Sequence, residues 1–169
     1  MDKAAKRELD AIEKLSAKGR WDDAIARLEV LQTSADPEVR DLALNYLADA
    51  YAATGHNAEA ESMLRRSMDG RGAANEGLGT QLSVLAPVVR RQGRLDEAEQ
   101  VYLRALEVLR PDEPELKTIT MRNLAYLYWS TGREDKARDL YAQLPDGDNG
   151  FLEFLSGVMR PYLEPAIPV

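Results

Sequence analysis

The chain has 169 residues and a formal net charge of −7, with 29 acidic against 22 basic side chains. An acidic protein repels nucleic acid and anionic membrane surfaces at long range, so neither is an expected partner. With no cysteine and a single histidine, the sequence excludes disulfides and leaves very little for transition-metal or nucleophilic chemistry. We therefore expect a protein that uses no cofactor or metal and is not an enzyme.

No stretch of the sequence approaches the ~20 consecutive apolar residues that a membrane-spanning helix needs. The chain starts with MDKAAKRELDAIEKL, which is charged and amphipathic and lacks the apolar run of a signal peptide. The sequence therefore favours a soluble, cytoplasmic protein.

Amphipathic helices are predicted in pairs, and a glycine makes the turn within each pair. The first helix carries Leu9, Ile12 and Leu15 on one stripe and charged residues on the rest of its surface. Pro37 is typical of the first turn of a helix and opens the second pair. We expect these pairs to form a single domain over residues 1–163. The predicted pairs and their turns are 2–34 (Gly19), 37–70 (Gly55), 75–110 (Gly93) and 114–144 (Gly132).

Three segments interrupt or end this pattern. The DGRGAANEG stretch at 69–77 holds three glycines, which predicts a linker and the hinge of the chain. Pro87 falls in the middle of a helix, where the missing backbone hydrogen bond predicts a kink. Residues 150–163 are predicted to form a last helix that is apolar on more than one face, followed by a short extended tail at 164–169.

The last predicted helix is unusual because the final helix of a repeat stack normally has a polar, solvent-exposed outer face, whereas this one is largely apolar. It could lie back in a groove, or pair with a second copy of the chain in a homodimer. It could also pack on further repeats of a longer protein from which this chain is a fragment. The simplest reading is a buried final helix. A self-association or assembly module is therefore the alternative to any function carried by the helix pairs.

Each pair repeats the same packing positions relative to its glycine. A large and a small residue stand eight and seven positions before it, Tyr or Val four before, Ala five after, and Tyr or Leu nine after. Small alanines let two helices approach closely, while the larger side chains fill the gaps one turn away. The copies are Leu124, Ala125, Tyr128, Ala137 and Tyr141; Leu85, Ala86, Val89, Ala98 and Tyr102; Leu47, Ala48, Tyr51, Ala60 and Leu64; and a weaker first copy with Ala11, Ile12, Leu15, Ala24 and Leu28.

These residues and spacings resemble the tetratricopeptide repeat family, whose usual period is ~34 residues. The four glycines here are 36, 38 and 39 residues apart, which is similar to the longer-period branch typified by kinesin light chain. The resemblance implies an all-α fold, a right-handed α-α superhelix of four helix pairs plus a C-terminal helix. It also implies a non-catalytic scaffold or adaptor that binds a peptide or a partner helix in its concave groove.

The resemblance also supplies candidate groove residues. In the kinesin-light-chain-like pattern, two adjacent asparagines ten and nine residues before the glycine hold the backbone of a bound peptide. Asn45 matches the first of these positions and Asn123 the second, and an amide suits the role because it both donates and accepts. The other members of the pattern are replaced here by Tyr46, Ser83, Val84 and Arg122.

The same offsets place further residues along the inner wall of the groove. Arg90, Arg91 and Arg122 would make a positive patch for an acidic segment, although arginines at the end of a helix also complement its dipole. Tyr126 and Trp129 stand three residues apart and form a candidate aromatic anchor, unless the last helix covers them. The remaining predicted wall residues are Asp49, Ala52, Pro87 and Ile119.

Overall fold

The computed structural model describes residues 1–71 and 77–144. Within these two ranges the chain forms α-helices and no strand, so the predicted all-α fold is confirmed. The predicted last helix at 150–163 and the tail at 164–169 lie outside the described residues. The helices are α1 (Lys3–Ala17), α2 (Trp21–Leu31), α3 (Pro37–Ala53), α4 (Asn57–Arg71), α5 (Leu78–Arg91), α6 (Leu95–Val108), α7 (Pro114–Ser130) and α8 (Glu134–Tyr141).

Aspartate side chains cap the N-termini of α1 and α3, which are the first helices of their pairs. The Asp2 carboxylate accepts the backbone N–H of Ala5 at 2.7 Å at the start of α1. The Asp36 carboxylate accepts the N–H of Glu38 at 3.0 Å, and Pro37 occupies the first turn of α3 as predicted. Each cap satisfies a backbone donor that the helix leaves unpaired, which contributes about 1 kcal/mol.

The four turns within the helix pairs share one backbone conformation. Gly19, Gly55, Gly93 and Gly132 have φ angles of 69°, 83°, 80° and 75°, and no other described residue has a positive φ. At Gly19, Gly55 and Gly132, the residue after the glycine returns its N–H to the preceding helix, as His56 does to the Tyr51 carbonyl at 2.8 Å. This is the hydrogen-bond pattern by which a left-handed glycine ends a helix and starts a sharp turn.

The chain divides into two compact units, at residues 1–108 and from Leu109 onwards. In the first unit α1 packs on α2, α2 on α3, α3 on α4, α4 on α5 and α5 on α6, so three helix pairs follow one another in order. In the second unit α7 packs on α8. The predicted contact alanines are fully buried in both units: Ala24, Ala48, Ala60, Ala86, Ala98, Ala125 and Ala137.

The first residues of the predicted glycine-rich linker are helical. Helix α4 continues through Asp69 and Gly70 to Arg71, so the linker predicted at 69–77 is wrong for its first three residues. Residues 72–76 lie outside the described ranges. Helix α5 runs through Pro87 without interruption, and the kink predicted there stays a prediction.

None of the helices in the described ranges combines the length and the apolar character that crossing a membrane requires. In the same part of the chain, His, Asp and Glu side chains nowhere gather in a group of three that could hold a metal ion.

Candidate binding surface

The first helices of the three pairs in the first unit, α1, α3 and α5, form one surface, which we call the inner wall. Helix α1 touches α3 directly. Helix α3 is linked to α5 by a hydrogen bond from the Gln81 side chain to the Asn45 amide oxygen at 3.4 Å. Between α3 and α5 the inner wall contains a hollow of about 270 Å³. The hollow is lined by Asn45, Asp49, Leu64, Gly77, Thr80, Gln81 and Val84.

A buried polar contact fixes one side of this hollow. Gln81 is 4% exposed, and its amide nitrogen donates to the hydroxyl of the fully buried Ser67 at 2.7 Å as well as to Asn45. Since an unsatisfied buried amide is costly, these bonds hold Gln81 in place and orient the Asn45 carbonyl towards α5. No hydrogen bond to a described residue involves the Asn45 amino group, which can therefore donate to a ligand.

Asp49 is the charged group of the hollow. Its side chain is exposed to solvent, yet the concave surface surrounds it with protein atoms, and this desolvation raises the pKa of its carboxyl above the usual value. Within the described ranges no cation forms an ion pair with it. Asp49 is therefore a carboxylate that is partly removed from water and has no counter-charge among the described residues.

More negative charge lies on the neighbouring part of the inner wall. The pKa of the Tyr46 phenol is raised, first by burial and then by the charges of Glu13, Asp49 and Asp10. Asp10 and Glu13 belong to α1 and stand nine and six residues before Gly19, at the same offsets as Tyr46 and Asp49 before Gly55. Neither carboxylate has an ion pair with a described residue.

The arginines at the end of α5 and in the following turn lie away from this hollow. The Arg91 guanidinium donates to the Asn57 side chain at the start of α4 at 2.9 Å. Arg90 lies beside the buried Tyr102 phenol, whose pKa is raised by burial and lowered in part by this positive charge. Arg94 pairs with Glu61 of α4 and, at 2.9 Å, with Glu97. A positive patch for an acidic ligand at Arg90 and Arg91 stays a prediction.

The other predicted site residues lie together on α7, in the second unit. The rings of Tyr126 and Trp129 are both half-buried, with centroids 6.1 Å apart and planes inclined by 45°. Arg122 is exposed and lines a shallow depression with Ile119, and Asn123 is half-buried beside it in the sequence. The structure therefore brings Asn45 and Asp49 together on one unit and Arg122, Asn123, Tyr126 and Trp129 on the other.

Sequence reasoning missed three contributors to the inner wall: Asp10, Glu13 and Gln81. The offset that identified Asp49 gives Glu13 when it is applied to Gly19, so the repeat spacing could have predicted Glu13. Gln81 had no such signal, because its role depends on contacts with Ser67 and Asn45 that no repeat position encodes.

A stack of glycine-turned helix pairs with an inner wall is the architecture of a helical-repeat scaffold for protein interactions. Two family profiles, both described as Tetratricopeptide repeat, match residues 42–75 and 79–144, together more than half of the chain. The chain belongs to the tetratricopeptide repeat family. Proteins of this family are typically non-catalytic.

Solved structures show the same fold. A crystal structure of MamA is 20% identical, with a TM-score of 0.70, and the match covers 96% of this chain and 82% of that one. The kinesin light chain repeats of Podosopora anserina give 20% identity and a TM-score of 0.65 over 99% of this chain and 82% of that one. At these identities the likeness concerns the fold, which is of the kinesin-light-chain-like type predicted from the sequence. No curated protein sequence matches the chain.

Proposed function

We propose that this protein is a scaffold that binds a segment of another protein along the inner wall, with the hollow between α3 and α5 as its main contact in the first unit. The observation that carries the proposal is the hollow itself. It occupies the surface formed by the first helices and contains Asn45, the position that the kinesin-light-chain-like pattern assigns to peptide binding.

The chemistry of the hollow suits a polypeptide ligand. Val84, beside the buried Leu64, offers apolar surface, while Asn45 offers an amide donor that can bond to a backbone carbonyl of any sequence. On the second unit, Asn123 and the Tyr126–Trp129 ring pair provide a further contact surface of the same kind on α7. Rigid aromatic groups of this type commonly contribute a large share of binding energy.

A substitution that fills the hollow tests this proposal. Peptides would be selected on the wild-type protein from a random-peptide phage library, synthesised with a fluorophore, and titrated by fluorescence anisotropy. We expect Val84→Phe to weaken binding at least tenfold, because the ring occupies the space that the ligand needs. The matched control is Val30→Phe on α2, where the native side chain is 70% exposed and the added ring meets water.

Circular dichroism and urea unfolding would show that both variants are folded. Thr80→Tyr, at an exposed position on the rim, provides a second block of the hollow. Equal affinity of the wild type, Val84→Phe and Thr80→Tyr for every selected peptide would contradict the proposal.

A further inference from the structure

We infer that the hollow receives a lysine or arginine side chain, so that the segment bound by this scaffold is basic. The inference rests on the proposed function and adds the chemical class of the partner.

The first argument is that none of the described cations neutralises Asp49 in the hollow. Asp49 is the one ionisable group among the described lining residues, and no described cation pairs with it. Two other carboxylates of the same unit do have a cation: Glu8 pairs with Arg27 at 3.2 Å, and Glu61 with Arg65 at 2.8 Å. A cation of the bound segment would form with Asp49 an ion pair of the kind that Arg27 and Arg65 form with Glu8 and Glu61.

The second argument is the charge of the surrounding wall. Asp10 and Glu13 stand on α1 on the same side as Tyr46 and Asp49, and their charges act on the Tyr46 phenol. Lys6 lies one turn before Asp10 in α1 but forms no ion pair with it in the described structure. Arg7 and Lys14 also flank Asp10 on α1, but the charges that act on the Tyr46 phenol are those of the three carboxylates, so the field at this point of the inner wall is negative and attracts a basic segment.

The third argument is size and lining. A volume of about 270 Å³ falls just below the roughly 300–1,000 Å³ of pockets for drug-sized ligands, so it suits a side chain with its adjoining backbone. Val84, beside the buried Leu64, can pack against an aliphatic stem, while Asp49 and Asn45 meet its polar end. Lysine and arginine have this division, an apolar stem with a charged head.

The raised pKa of the Asp49 carboxyl agrees with the binding of a lysine or arginine side chain in the hollow. Because burial raises the pKa of its carboxyl, the ionised form is less favourable in the free protein than in water. A bound cation reverses this effect, and part of the desolvation cost is then recovered in the complex.

The test uses pools of capped nonapeptides that have random neutral residues at eight positions and a fixed central residue. The central residue is arginine, lysine, citrulline, alanine or glutamate, and citrulline matches the shape of arginine without its charge. Binding of each pool to the full chain is measured by competition with a labelled peptide at about 50 mM and 500 mM salt. The variants are Asp49→Asn and, as a matched control with the same loss of charge, Asp139→Asn at an exposed site on α8.

We expect the arginine and lysine pools to bind the wild type roughly 5- to 10-fold more tightly than the citrulline and alanine pools at low salt. This preference should disappear in Asp49→Asn, persist in Asp139→Asn, and shrink at high salt. The glutamate pool should bind most weakly.

Pools that bind equally well whatever the central residue, or best with glutamate, would overturn the assignment of a basic partner. If Val84→Phe still weakened binding in that case, the proposed scaffold function would stand, but its partner would not be basic. Binding by none of the pools would contradict both proposals. An arginine preference that Asp49→Asn leaves intact would also overturn the role given to the hollow.

Discussion

The turn glycines allow a sharp test, because the same substitution should have opposite effects at two positions of one helix pair. Gly55 ends α3 with a φ of +83°, and a Cβ added there would meet no atom within 4 Å. Gly70 lies inside α4, where a Cβ would only touch the Asp41 carboxylate at 3.8 Å. Steric clashes therefore contribute to neither variant, and backbone conformation decides both outcomes.

The magnitudes follow from that difference. Alanine in the left-handed region costs roughly 1–2 kcal/mol, and the smaller entropy of its unfolded chain offsets about 0.4–1 kcal/mol of this. Gly55→Ala should thus lower the free energy of unfolding by about 1 kcal/mol. Gly70→Ala keeps a helical conformation and gains the entropic term, so it should raise the free energy of unfolding by about 0.5 kcal/mol.

Urea unfolding followed by circular dichroism measures both changes. With a denaturant dependence of about 2 kcal/mol per molar urea, the midpoint should fall by about 0.5 M for Gly55→Ala and rise by about 0.25 M for Gly70→Ala. A neutral or stabilising Gly55→Ala would refute the left-handed turn. A clearly destabilising Gly70→Ala would refute the continuation of α4 to Arg71.

Two further predictions concern ionisable groups. Because the pKa of Asp49 is raised in the folded protein, ionisation of this group opposes folding at neutral pH, and this destabilising effect fades as pH falls through the raised pKa towards 3.8. Asp49→Asn should therefore be more stable than the wild type at pH 7, by a margin that shrinks in acid. A less stable variant in urea unfolding would contradict this prediction. Burial alone would raise the pKa of Glu61, but hydrogen bonds from Arg65, Gln92 and Arg94 outweigh burial and lower it, so its stabilising effect is present at neutral pH and is lost as pH falls through the lowered pKa. Glu61→Gln should cost about 1–2 kcal/mol at pH 7 and little at strongly acid pH, and a cost that does not change with pH in the same assay would argue against this network.

Much of the fold could be predicted because each helix pair is specified by a short stretch of sequence. A glycine with positive φ and two facing alanines are local requirements, so their spacing predicts both the turn and the close contact, as at Gly93, Ala86 and Ala98. The end of α4 was not predicted correctly, because no local requirement in the sequence fixes it. Glycine costs only about 1 kcal/mol in a helix, and Asp69 and Gly70 continue α4 despite the glycine-rich sequence around them.

The candidate site was less predictable than the fold. Repeat offsets place Asn45 and Asp49 on one helix face, because a helix face follows directly from residue spacing, and both residues line the same hollow. The offsets do not show where a long side chain ends, and Arg91 and Arg94 reach back to Asn57 and Glu61 of the preceding pair. Whether a described cation reaches Asp49 also depends on contacts between helices, which a single sequence does not display.

The central claim is that a segment of another protein binds in the hollow between α3 and α5. The most direct measurement is chemical-shift mapping by NMR during titration with the tightest-binding selected peptide. The largest changes should fall on Asn45, Asp49, Thr80 and Val84, while α2 stays unperturbed around Val30. Changes concentrated on α2, with the α3 and α5 signals unmoved at saturation, would contradict the account.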